Sequence, residues 1–160
     1  MISLIFLVLL TLPAVSAMHG TILQERMAGN TRDRMLAFQA AEAALRKAES
    51  LLGASGLPSG TGMYMVPATS PAAAYTSAQQ WDTAYPWSTS AATLGSGTLV
   101  VASQPLYVIE RMTTTSPATA PLVEDITFGA TVGHGYFRIT SRGVGATSNA
   151  AVILQEYYVR

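Results

Sequence analysis

The sequence predicts an α+β fold: a long N-terminal α-helix, its apolar first half projecting, packed on a C-terminal antiparallel β-sheet head. Three observations carry that expectation. Residues 2–52 read as nearly unbroken helix former, whereas the chain after residue 97 falls into short β-branched and aromatic stretches separated by turn residues. Dimensions supply the third. A helix over 2–52 would run roughly 75 Å at 1.5 Å per residue. The remaining residues make a globule with a radius of gyration near ~13 Å, which covers only part of that helix. Helix first and strands afterwards is the α+β order.

The opening run, MISLIFLVLLTLPAVSAM, carries no charge. Its eighteen residues span roughly 27 Å as helix, close to the ~30 Å hydrocarbon core of a bilayer. The hydroxyls of Ser3, Thr11 and Ser16 can bond back to helix carbonyls, and Pro13 kinks a helix in a membrane or bundle more often than it ends it. The run has three readings: a secretory signal peptide ending at the small residues Val15-Ser16-Ala17, a plain membrane anchor, or a helix that anchors first and later packs against other copies. In the last two, Ile2, Leu4, Ile5, Phe6, Leu7, Val8, Leu9, Leu10, Leu12, Pro13 and Val15 form the membrane or filament-core surface.

The residues beyond the run favour the third reading, because helix former continues almost to Gly53. Phe38, Ala41, Leu45, Ala48 and Leu52 are spaced 3, 4, 3, 4 and share one face, the expected contact with the head. Glu42, Arg46 and Glu49 fall on another face, with Glu42 and Arg46 in the favourable i,i+4 order. Gly53 is the expected C-cap, and Gly56 and Pro58 block continuation. Gly29-Asn30 is the weak point, where a local unwinding is expected. The charges Glu25, Arg26, Arg32, Asp33 and Arg34 read as a solvated neck, with inter-subunit ion pairs as the lesser reading. The chain thus divides into an apolar helical segment (1–20), its amphipathic continuation (21–53) and a head (54–160).

Within the head, residues 54–96 are rich in Ser, Thr, Ala, Gly and Pro with one charge, Asp82, and are expected to be irregular. The rings of Tyr64, Tyr75, Trp81, Tyr85 and Trp87 argue against disorder. Trp81 and Trp87 read first as anchors onto the sheet. With Tyr64 they are also the candidates for a surface contact. Strands are expected over 98–103, 106–112, 126–132, 136–142 and 152–159. In the fourth, Phe137, Ile139 and Ser141 share a face, and GVGATSN (143–149) reads as the turn leading back to the last strand.

Composition narrows the chemistry. The 160 residues are 49% apolar and only 11% charged, and nine Lys/Arg balance nine Asp/Glu. No global field therefore attracts nucleic acid or a strongly acidic partner. Zero cysteines exclude disulfides, thiolate catalysis and thiolate zinc sites, and two distant histidines exclude an all-histidine zinc centre. The adjacent acids Glu124-Asp125 point to opposite sides of an extended chain and make a poor acid/base dyad. A calcium site through them and loop carbonyls is the lesser reading. His134 sits between two glycines and reads as a turn residue. No GxSxG, HExxH or Ser/His/Asp arrangement is recognisable, so no catalytic, cofactor, metal or small-molecule site is assigned.

Two stretches carry a resemblance. SLIFLVLLTLPAVSAM followed by LQERMAGNTRDRMLAFQAAEAALRKAE resembles the N-terminal helix of PilX-like minor pilins of type IV pili, and YFRITSRGVGATSNAAVILQEYYVR is similar to the close of the same family. The resemblance implies a type IV pilin-like fold and a non-enzymatic minor subunit at or near the pilus tip. Such a subunit helps prime assembly, and its partners are other minor and major pilins met through the N-terminal helix. It also implies residence in the inner membrane before assembly and in the extracellular filament afterwards. An uncharged helix can make that transfer without desolvating a charge, and Ala14, Ala17 and Gly20 permit close helix packing.

Two departures from the family pattern stand out. Family precursors carry a short basic leader ending in Gly, whereas Met1 already lies inside the apolar run; most pilins carry an early Glu, whereas the first acid here is Glu25. Tip subunits of this kind commonly lack that Glu. The competing readings are a pseudopilin of a type II secretion system, of the same shape, and a Sec-exported soluble β-rich binding protein.

Overall fold

Helix α1 (Ile2–Gly53) takes up the first third of the chain. The computed structural model describes residues 2–54, 56–66, 75, 77–95, 97, 99–112 and 135–160, with backbone only for 12–17. At 52 residues α1 is roughly 78 Å long. It runs through Pro13 and, against expectation, through Gly29-Asn30 without unwinding. A glycine in a helix costs only about 1 kcal/mol relative to alanine. The strong helix formers on both sides of Gly29 outweigh that. Thr11, Thr21 and Thr31 return their hydroxyls to the carbonyls of Val8, Met18 and Met27, so none competes with the helix. The helix ends at Gly53, and the Arg160 guanidinium closes that end by donating to the carbonyls of Ala54 and Gly56, each at 2.8 Å.

The head is built on a sheet of β1 (Met63–Tyr64), β2 (Ala92–Thr93), β3 (Leu106–Arg111), β4 (Tyr136–Val144) and β5 (Ala151–Val159). Strands β3, β4 and β5 form an antiparallel ladder, with Ile109 opposite Ile139 and Ile139 opposite Glu156. β2 pairs antiparallel with the start of β3 and β1 pairs parallel with its end, so the sheet is mixed at that edge.

Alternation along the strands divides the core in two. Tyr107, Ile109, Phe137 and Ile139 face α1 and pack with Ala44, Leu45, Ala48 and Leu52. Val108 faces the other way, into a cluster with Trp81, Tyr85, Trp87 and Ala91. The order of layers is therefore long helix, sheet, aromatic block.

Five alanines (Ala37, Ala40, Ala41, Ala44 and Ala48) are fully buried in the helix face that meets the sheet. Their small size brings the helix backbone onto the strand: a Cβ on Gly143 would lie 2.2 Å from the Ala37 carbonyl oxygen and 2.3 Å from the Ala41 nitrogen. Phe38 does not belong to this face. It is 48% exposed, about a sixth of a turn from Ala41 at the edge of the alanine stripe, so the helix-to-head contact consists of Ala41, Leu45, Ala48 and Leu52 with the additional alanines.

The 54–96 region is not irregular throughout. Besides β1 and β2 it contains α2 (Ala78–Thr83) and α3 (Trp87–Ser90). The Ser77 hydroxyl accepts from the Gln80 N–H while the Gln80 side chain accepts from the Ser77 N–H, a capping box written in the sequence as S-x-x-Q.

The strand expected over 98–103 is also corrected, because residues 99–103 form a bent loop. There the Gln104 amide takes the place of a strand partner, accepting from Leu99 N–H and donating to Leu99 C=O, while Val100 stands 99% exposed. The strand expected over 126–132, the Glu124-Asp125 pair and His134 lie outside the described residues.

Candidate filament interface

The projecting half of α1 presents apolar side chains in all directions. From Ile2, 76% exposed, to Val8, 52%, each large side chain stands clear of the head, and Leu9 and Leu10 continue the surface. Of the expected filament-core residues, Leu12, Pro13 and Val15 fall where only the backbone is described. Exposed apolar side chains recur further on at Ile22, Leu23, Met27, Met35 and Phe38. A helix hydrophobic all round and uncovered by its own domain is a surface for lipid or for other helices. Among the described residues, no helix is long and apolar enough to cross a membrane.

The helix leaves the head at Asp33, where it is clasped by the β4–β5 turn. Asp33 Oδ1 accepts from the Ala146 N–H at 2.5 Å and the Thr147 N–H at 3.2 Å, and Oδ2 accepts from the Thr147 hydroxyl. The hydroxyl bond is the main cause, with the backbone N–H groups adding to it, of a carboxyl held below its ordinary value. Gly145 is required here, since a Cβ would meet Asp33 Oδ1 at 2.2 Å. Asp33 is thus not simply part of a solvated neck. It ties the helix to a turn 114 residues away in sequence. An open cleft of about 1150 Å³ lies beside the clasp, between Arg32, Leu36 and the turn.

Behind the sheet, Glu110 is fully buried and Arg138 nearly so. Arg138 Nε donates to Glu110 Oε2 at 2.8 Å, and Nη2 lies 2.7 Å from the same oxygen without hydrogen-bond alignment. The guanidinium carbon sits 5.7 Å from the Trp81 ring centroid, within cation–π reach. Trp81 packs at 4.7 Å from Tyr85 and 5.8 Å from Trp87 between centroids, and the Trp87 indole N–H donates to the Trp81 carbonyl at 2.6 Å. Burial, reinforced by the Tyr64 hydroxyl, raises the Tyr85 phenol above its ordinary value.

The surface-contact expectation for Trp81 and Trp87 is therefore corrected. Both indoles are interior, and only Tyr64 of the three is partly exposed, with its hydroxyl on the Ser90 carbonyl. The sequence alone singles out neither the Asp33 clasp nor the Glu110–Arg138 pair. The single acid of β3, Glu110, and the arginines of the next strand, Arg138 and Arg142, are the available signal for the pair. Among the described residues, no group of three or more His, Asp or Glu side chains converges on a metal position.

Two family models match the chain. One, described as the PilX N-terminal region, covers residues 1–46; the other, described as the type IV pilus assembly protein PilX C-terminal region, covers 54–160. No curated protein and no solved structure matches it. The first match takes in the projecting helix through the Asp33 clasp, and the second takes in the whole head. The chain belongs to the PilX family of type IV pilus assembly proteins.

Proposed function

We propose that this structural pilus component is a minor pilin of the tip or priming complex, built as a helical handle (1–20), its amphipathic continuation (21–53) and a head (54–160). The observation that carries the reading is the uncharged, exposed surface from Ile2 to Leu10 on a helix whose second half is fixed to the head. Each fully buried Leu, Ile or Phe gains about 1.5–3 kcal/mol. A surface of this size therefore drives the handle first into the inner membrane and then into the filament bundle, against other minor and major pilins. Ile2, Leu4, Ile5, Phe6, Leu7, Val8, Leu9, Leu10, Leu12, Pro13 and Val15 are the residues assigned to that contact. Residues 2–24 contain no acid, so no carboxylate from this stretch has to find a partner inside the bundle.

The protein acts without catalysis. Adhesion and twitching motility follow from its effect on filament assembly. The test is N-terminal sequencing of the protein recovered from sheared surface filaments, with immunogold labelling of the head. A mature chain retaining residues 2–18, with label at filament ends, is expected. A chain beginning at Met18 and found free of filaments would overturn the reading.

A further inference from the structure

Among the described residues the last strand of the sheet, β5, has one unpaired edge. Gly135 and Arg160 exchange both hydrogen bonds at 3.0 Å, and the β4–β5 register continues from that pair without a bulge. In an antiparallel ladder every second pair bonds in this way. The even-numbered residues of β5 therefore bond β4. Ala151, Ile153, Gln155, Tyr157 and Val159 turn their N–H and C=O groups outward along nine residues that contain no proline and no lysine. Natural sheets usually blunt such an edge with a charge, a proline or a cover, and this one carries a single charge, Glu156.

We propose that the β5 edge pairs antiparallel with β5 of a second copy of this chain, about a two-fold axis at Gln155. That register brings outward-turned residues opposite one another over the full strand. It sets Ile153 against the partner's Tyr157, Val152 against the partner's Tyr158, and Gln155 against the partner's Gln155. Aromatic and β-branched residues opposite one another are favourable cross-strand pairs. Glu156 falls opposite Leu154 of the partner, so no like charges meet. Moving the axis one residue towards the C-terminus would place Glu156 opposite itself and shorten the ladder. A second copy fits this edge better than an arbitrary extended peptide because the strand complements itself.

The axis is normal to the sheet and reverses the direction of α1. The pairing thus joins heads whose helices run oppositely and is separate from any side-by-side packing of parallel handles. It stands or falls independently of the pilin reading.

The absence of cysteine permits a clean test with single-cysteine variants of the full chain in mild detergent. At the axis, Cα atoms of a hydrogen-bonded pair lie about 5.5 Å apart, within disulfide range. Residue 157, exposed as 155 is, would lie roughly 14 Å from its own copy, four residues along the strand. Gln155→Cys is expected to form disulfide-linked dimer at least about tenfold faster than Tyr157→Cys or the loop variant Ser103→Cys, because the pairing raises its effective concentration. Equal rates for the three, or a faster Tyr157→Cys, would overturn the proposal. The melting curve of each reduced variant verifies that the comparison is between folded proteins.

Discussion

Asp33 and Thr147 meet where the long helix leaves the head: the carboxylate accepts both the N–H and the hydroxyl of Thr147, and also takes the Ala146 N–H. One side chain therefore satisfies the tip of the β4–β5 turn and fixes the point at which the handle becomes free. A filament subunit needs that junction to be defined, because small angular errors there are magnified along a projecting helix.

Removing the carboxylate should release the turn before it unfolds the head. In Asp33→Ala, amide exchange at Ala146 and Thr147 is expected to speed up while β3 and β4 stay protected. The pH dependence has a definite sign. The folded carboxyl is held below its ordinary value, so its contribution is present above the unfolded value near ~3.9 and disappears as pH falls through the folded one. Asp33→Asn should therefore melt earlier than wild type at neutral pH and approach it in acid; a gap that persists unchanged in acid would contradict the clasp.

Gly143 tests the close approach of helix and strand. An added Cβ would sit 2.2 Å from the Ala37 carbonyl oxygen and 2.3 Å from the Ala41 nitrogen, both backbone atoms that yield only if the helix lifts. Gly143→Ala is expected to cost about 1–3 kcal/mol or somewhat more in denaturant unfolding, as overpacking of a filled interior does. The same change at Gly53, where nothing lies within 4 Å, should have no comparable effect through packing.

The sequence makes the large elements legible because each has a strong periodic signal: the 3-4 spacing at Ala41, Leu45, Ala48 and Leu52, and the alternation through Phe137 and Ile139. What it hides depends on partners distant in the chain. Phe38 keeps the helical spacing but stands outside a face narrowed by alanines. Val100 and Val101 are β-branched, but among the described residues no strand pairs with them, and Gln104 folds the segment back on itself. The aromatics at 81 and 87 suggest anchoring without revealing that a buried arginine lies against Trp81. Asp33 looks like any neck charge until the turn at 146–147 is placed beside it.

The Glu110–Arg138 pair should behave asymmetrically under mutation. Arg138→Met leaves a fully buried carboxylate without its cation, and such changes cost about 3–5 kcal/mol. Replacing both partners with apolar residues of similar volume, Glu110→Leu with Arg138→Met, is expected to recover most of that loss. Denaturant midpoints of the single and double variants check this, and a double variant as unstable as Arg138→Met would show the pair to be net stabilising.

Leu45 and Phe38 separate the two surfaces of α1. Leu45 is buried against the sheet, so Leu45→Ala should cost about 2–5 kcal/mol. Phe38, half exposed, should lose under about 1 kcal/mol on truncation, since most of its surface already faces solvent in the isolated subunit. Thermal unfolding of the two variants in detergent distinguishes them, and equal losses would return Phe38 to the core.

Glu156 on β5 and Glu49 on α1 give a pH effect of the opposite sign to Asp33. Burial, a hydrogen bond to Glu49 and the charge of Glu49 all raise the Glu156 carboxyl above its ordinary value. The protonated form therefore suits the fold. Its contribution is fully present below the unfolded carboxyl value and is lost as pH rises through the higher folded one. Glu156→Gln keeps an uncharged donor towards Glu49 at every pH. The variant should match wild type near pH ~4 and become the more stable of the two as the pH approaches ~7. Melting temperatures across that interval provide the measurement, and a Glu156→Gln curve parallel to wild type would mean that the Glu156 carboxyl is not raised in the folded head.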